Sequence, residues 1–286
     1  MQELVSGLTV GGVYVLLALG FTLALGMGDL VNLAHGAFVV AGMYVVFQGV
    51  VDHGLNQYVA VALAPVVVGA GSYVVYKLVM ERARRGGHRD QIIYSLLLLG
   101  ALGVVFQIFF GEQGLVALPG GSGTVTVLGA SVSSARLVAF VVALVVTVLL
   151  AYVASRTTVG RLVRATASYE SGARAIGVPV DRVFAGVFVA SGATAGLAGG
   201  LMMTFLPVDP TLGLDFLLIA LIVSIAGRLT FGGCVVIGLL YGVANTSLTA
   251  HFSNAVATLS IFGAFLLVLA AGEALAFRGR RSLRAG

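Results

Sequence analysis

Three stretches of the chain, residues 92–110, 137–154 and 183–206, carry no Asp, Glu, Lys or Arg and are apolar on every face. Each reaches the roughly 20 residues that a helix needs to cross about 30 Å of hydrocarbon. Inside lipid every backbone N–H and C=O needs a partner within the protein, which leaves helices and closed barrels as the spanning structures. A barrel strand alternates apolar with polar residues, and these stretches do not. With 59% hydrophobic against 9% charged residues and a mean hydropathy of +1.08, the chain has too little polar surface to coat a water-soluble globule. The expected fold is all-α: one polytopic transmembrane bundle over residues 1–286, with about 8–9 membrane helices, some short or broken.

Charges and turn residues cut the chain into candidate spans at 4–27, 31–51, 57–77, 92–110, 136–154, 183–206, 213–228, 232–249 and 253–273. The N-terminus has no basic residue before its apolar run and reads as a retained helix. Lys77, Arg82, Arg84, Arg85 and Arg89 share one connection, and Arg156, Arg161, Arg164, Arg174 and Arg182 share another. Arg228 lies in a third, and Arg278, Arg280, Arg281 and Arg284 in the tail. Alternating spans put all of these on one side and leave Arg136 on the other. The positive-inside rule then sets the N-terminus outside and the C-terminus in the cytoplasm. The net charge of +5 is thereby an orientation signal that contacts membrane lipid, and no nucleic-acid partner is implied. Tyr58, Tyr76, Tyr94 and Tyr152 fall at span ends, where an interfacial aromatic belt is expected.

Gly192, Gly196 and Gly200 recur every fourth residue, as do Gly7 with Gly11 and Gly238 with Gly242, a spacing that lets helix backbones approach within a bundle. Residues 111–135, with Pro119, Gly120, Gly121 and the alternating Val125 and Val127, read as an extracytoplasmic loop or small hairpin. The lone Cys234 and the scattered His35, His53, His88 and His251 have no metal-ligand spacing, so neither a metal nor a cofactor is expected.

The cytoplasmic loop 155–182 is too long for a minimal turn. Leu162, Val163 and Ala167, with Gly177 and Pro179 after them, predict a short helix lying along the membrane and then a turn. The residues alone leave two readings open, a rigid element that transmits force or a basic loop that only fixes topology. Gly160, Arg161, Arg164, Ala165, Ala167, Gly177, Val178, Arg182 and Val183 together resemble the coupling-loop pattern of the membrane subunits of branched-chain amino-acid ABC importers, a family with relatives for urea and short-chain amides. A second match is N-terminal, through Gly7 to Tyr14, Leu19 to Thr22, Asn32-Leu33-Ala34-His35-Gly36 and Gly42-Met43-Tyr44.

The resemblance implies a permease that docks its coupling helix on separate ATPase subunits, through Arg161, Arg164, Glu170, Arg174 and Gly177. It also implies two such ATPases, an extracytoplasmic substrate-binding protein and a second permease subunit. A related heterodimer partner is the family habit, although a homodimer is left open. Glu170 with Ser171, Ala37, and the turn Ala226-Gly227-Arg228-Leu229 depart from the family's usual residues.

Polar residues within the spans are candidates for a pathway or gate. Asn32 and His35 are placed three apart on one helix face of the second span. Asp215 and Arg228 enclose 12 uncharged residues, about 18 Å of helix at 1.5 Å each, so this element is short or broken, or extends outward to leave Asp215 at a wet end. Asn245 and Thr246 form a third patch, for which helix packing is the simpler reading. No nucleotide-binding Gly-x-x-x-x-Gly-Lys-Ser/Thr run is present, so an ATP-driven importer would need its ATPase on other chains. An ion-coupled secondary transporter or channel is the alternative, disfavoured because most acids lie in loops or at helix ends. No paired carboxylates or nucleophile set supports an enzyme.

Overall fold

The structure, a computed structural model, describes residues 1–111, 123–127, 129–253 and 256–265. Helix α1 (Gln2–Thr22) runs on through a π-helical turn, Leu23–Met27, as one apolar element. Asp29, at a φ of +52°, then turns the chain out of the helix. After a non-helical stretch, α2 covers His35–Val51. Helix α3 (Gln57–Val75) keeps Pro65 in its interior and passes through a second π-helical turn, Tyr76–Met80, into α4 (Glu81–Gly86). Gly87, at a φ of +95°, separates α4 from α5 (His88–Phe110).

Strands β1 (Thr124–Val127) and β2 (Ala130–Ser133) form an antiparallel hairpin, with Thr124 opposite Ser133 and Val127 opposite Ala130. Its Ala130 and Val132 bury against Val5 of α1, and Gln2 exchanges two hydrogen bonds with the backbone of Ser131, at 2.6 and 2.9 Å. Next come α6 (Ser134–Arg156), α7 (Thr158–Ser168), α8 (Glu170–Ala175) and α9 (Val180–Met202). After them run α10 (Leu212–Ala226), α11 (Phe231–His251) and α12 (Val256–Phe265).

Six of these elements are long and apolar enough to cross a membrane: α1 with its π turn, α3 with α4, α5, α6, α9 and α11. Helices α2, α10 and α12 are shorter apolar helices. Each expected span overlies one of these nine, the last only over its described part. The C-terminal arginines and residues 119–121 lie outside the described residues.

Burial separates centre from rim. The apolar window of α1 is 78% buried and that of α9 67%, whereas that of α5 is 11%. Helix α1 packs against α6, α9, α10 and α11, and α9 against α2 and α3. Helix α5 turns Leu96, Leu97, Ile108 and Phe109 outward, as a face meeting lipid or another apolar chain does. The central contacts are backbone on backbone. A methyl group added at Gly242 would lie 2.3 Å from Gly11 Cα, and one at Gly42 would lie 2.2 Å from the Gly196 carbonyl oxygen. The glycine spacings thus serve contacts within the chain. Tyr58, Tyr94 and Tyr152 are exposed as a belt requires, but Tyr76 is fully buried against Phe188 and does not belong to one.

Candidate functional site

The loop between α6 and α9 is built as a rigid piece. Thr157 leaves α6 in extended backbone, its hydroxyl donating to the Val153 carbonyl at 2.6 Å and accepting from Gly160 N–H at 3.4 Å, which caps α7. Gly160 presses on the Ala154 carbonyl, where an added methyl would come within 2.1 Å of the oxygen. Arg164 donates to that same carbonyl at 2.5 Å, closing the C-terminal end of α6. Gly160, Val163 and Thr166 form the buried face of α7, while Arg161, Leu162, Arg164 and Ala165 are exposed. Gly177, at a φ of +84°, ends α8 with its N–H on the Arg174 carbonyl at 3.0 Å, a position where a side chain would be strained.

Glu170 and Arg174 do not share the free side of α7. They enter a four-membered charge cluster with Arg84 of α4 and Asp181 of α9. Arg84 donates to Glu170 at 2.8 Å and to Asp181 at 2.7 Å, and Arg174 donates to the same two acids at 2.9 and 3.1 Å. Arg84 also stacks on the Phe184 ring at 4.2 Å. Partial burial pushes the Glu170 carboxyl up, but the hydrogen bonds from Arg174 and Arg84 outweigh it and hold the group below its ordinary value. Sequence reasoning missed Arg84, because within Arg82-Ala83-Arg84-Arg85 nothing local distinguishes the buried arginine from its neighbours.

The interior polar residues fall into three places. Asn32 is not on a helix face with His35, as their spacing suggests. It lies in the unwound segment before α2, because the left-handed turn at Asp29 stops α1 and helix resumes only at His35. His35 is fully buried, its Nε2 3.0 Å from the Leu17 carbonyl and its Nδ1 3.3 Å from the Ser191 hydroxyl. The Asn32 amide is buried with no hydrogen-bond partner among the described residues.

Helix α10 is one unbroken helix of 15 residues, about 22 Å long, so short is right and broken is not. Val208 and Pro210 are buried ahead of it, and Gly213 packs on Gly36 in the first turn of α2. Asp215 lies in the first turn of α10 and is exposed. Asn245 and Thr246 of α11 face a cavity together with Tyr14 and Arg136.

These observations define a multi-pass helical membrane protein with a braced loop at one end and polar groups along its interior. Residues 3–271 match the family described as the branched-chain amino acid transport system permease component, and the chain belongs to that family. The high-affinity branched-chain amino acid transport system permease protein BraD of Pseudomonas aeruginosa is 29% identical, covering 94% of this chain and 92% of BraD. LivH of Escherichia coli K12, a protein of the same description, is 26% identical over 94% of this chain and 92% of its own length. A probable LivH of Methanocaldococcus jannaschii is 26% identical over 85% and 79%.

Proposed function

We propose that this chain is the membrane-spanning subunit of an ATP-driven ABC importer in the inner or plasma membrane, carrying branched-chain or other hydrophobic amino acids. The observation that supports this best is the bracing of α7 and α8. Gly160 and Arg164 fix α7 to the end of α6, and Arg84 ties α8 to α4 and α9, so a push on the loop moves three helices together. That is what a coupling element needs, since packed interfaces transmit displacement without absorbing it. Arg161, Leu162 and Ala165 remain on the outward side of α7 for an ATPase subunit.

In this reading the braced loop and the arginine-rich connections are cytoplasmic, and the N-terminus and hairpin lie outside. Two ATPase subunits, a second permease subunit related to this one and an extracytoplasmic binding protein complete the assembly. Glu170, Arg174 and Gly177 hold the coupling element's shape, Arg161 makes the docking contact and Arg164 does both. Asn32 and His35 form the core of a gate at the unwound segment. Asp215, exposed in the first turn of an apolar helix, lines the water-filled route, because a carboxylate facing lipid would be costly.

Arg161→Glu tests the reading without disturbing the fold, since this side chain is exposed and its one hydrogen bond is to Thr158 at 3.3 Å. The expected result is loss of ATPase co-purification and at least a roughly tenfold fall in ATP-driven uptake, from a charge reversal at a docking contact. Membrane insertion and thermal stability should match the unmodified protein. Unchanged co-purification and uptake would refute the docking assignment.

A further inference from the structure

A cavity of about 470 Å³ opens at the hairpin end of the bundle, between α1, α6, α11 and the residues just after α9. Its volume falls within the roughly 300–1,000 Å³ of small-molecule sites. The cavities of about 290, 350 and 230 Å³ elsewhere are lined almost wholly by apolar side chains. This one combines both chemistries. Arg136, Tyr14, Asn245 and Thr246 face it from three helices, and Met202 and Leu206 supply an apolar wall.

Arg136 is half-buried and forms no ion pair with an acid of the described residues. Its guanidinium lies over the Phe205 ring at 5.6 Å, a cation–π contact that supplies no counter-charge. A planar guanidinium in this setting suits the two oxygens of a carboxylate. On the same cavity the Asn245 amide nitrogen donates to the Tyr14 hydroxyl oxygen at 3.5 Å, which leaves the amide oxygen and the second lone pair of the phenol oxygen to accept from an ammonium group. A lipid tail would satisfy none of these groups.

We propose that this cavity is a cargo subsite for a small zwitterion with an apolar side chain, its carboxylate on Arg136, its ammonium on Asn245 and Tyr14, and its side chain against Met202 and Leu206. The assignment rests on the importer reading and adds the recognition chemistry. It also puts the subsite at the end opposite the braced loop, where a binding protein would release cargo.

The test uses proteoliposomes holding the assembled importer with its binding protein, and two probes, L-leucine and L-leucinamide, the second lacking the carboxylate. Arg136→Gln should lower ATP-driven L-leucine uptake by about 10–100-fold, the range expected for losing a charge-assisted bidentate contact. Uptake of L-leucinamide should be unaffected, Arg136→Lys should recover part of the L-leucine rate, and binding-protein-stimulated ATP hydrolysis should persist. Wild-type L-leucine uptake by Arg136→Gln would overturn the subsite and leave the importer reading standing. A parallel loss of both probes, as expected if Arg136 held a lipid phosphate or only the fold, would overturn it too. Wild-type vesicles that accumulate neither probe with ATP would overturn the importer reading and the subsite together.

Discussion

The charge cluster at Arg84 makes a prediction whose sign is not the intuitive one. The Arg84 side chain is 6% exposed, whereas those of Glu170 and Asp181 keep 41% and 32%. Arg84→Met therefore removes the buried charge along with its bonds and leaves two acids that water and Arg174 can solvate. Two charge-assisted hydrogen bonds are worth about 1.5–3 kcal/mol each when buried. Solvent reaches the acid ends and cuts this by roughly half. The contact with Phe184 adds about 0.5–1 kcal/mol, part of which the methionine restores by packing, for a net loss of about 2–3 kcal/mol.

Glu170→Gln with Asp181→Asn does the opposite and strands the buried guanidinium without an acid. That costs about 3–5 kcal/mol, the usual penalty for breaking a buried pair from one side. Adding Arg84→Met to the double variant should then recover stability. Unfolding in mixed micelles, monitored by helicity and compared across the four proteins, checks the order. A double acid variant that is more stable than Arg84→Met, or a triple variant no better than the double, would refute the reasoning.

Packing, titration and backbone strain give three more outcomes. Gly36→Ala would bring a methyl within 1.9 Å of the Gly213 carbonyl oxygen and should cost at least about 1–3 kcal/mol, while Gly100→Ala, with nothing within 4 Å, should be neutral or stabilising by about 0.5–1 kcal/mol; detergent melting curves compare them. Glu170 is held below its ordinary value of 4.5, so the stability it contributes is fully present above that pH and is lost as pH falls through its lower folded value. Melting temperature recorded from pH 8 to pH 3 should therefore be flat and then drop, with a smaller drop in Glu170→Gln; an identical drop in both proteins would contradict this. Arg228 is exposed at a φ of +57°, a conformation that costs a non-glycine residue about 1–2 kcal/mol, so Arg228→Gly should raise stability by about 0.5–1 kcal/mol after the added chain entropy of glycine is counted, as read by the same melting curves.

How far the sequence can be read depends on the range of the forces involved. Span positions are legible because an uncharged run of 19 residues such as 92–110 has few alternatives to a membrane helix. The short helix after Arg156 is legible from Leu162, Val163 and Ala167 with Gly177 and Pro179 after them, but with Gly160, Val163 and Thr166 buried and Leu162 exposed, its buried face is not legible. The unwinding before α2 is not, because Asn32 and His35 at a spacing of three look the same on a helix as off one. The left-handed turn at Asp29 stops the first helix, and Gly36 packs on Gly213 from far along the chain. The packing of Gly213 on Gly36 at the start of α10 is hidden for the same reason, since it joins residues far apart in the chain. The cavity at Arg136 is assembled from segments scattered along the whole chain. Its arginine stands out in the sequence only as the one cation on its side of the predicted topology.

One measurement separates the two transport classes most directly, uptake of radiolabelled L-leucine into proteoliposomes containing this chain, its partner permease, the ATPase subunits and the binding protein. The predicted result is accumulation that requires ATP at the cytoplasmic face, stops when the ATPase subunits are omitted, and persists after every ion gradient is collapsed. Accumulation that tracks an ion gradient and continues without the ATPases would contradict it, and would make the chain a secondary transporter.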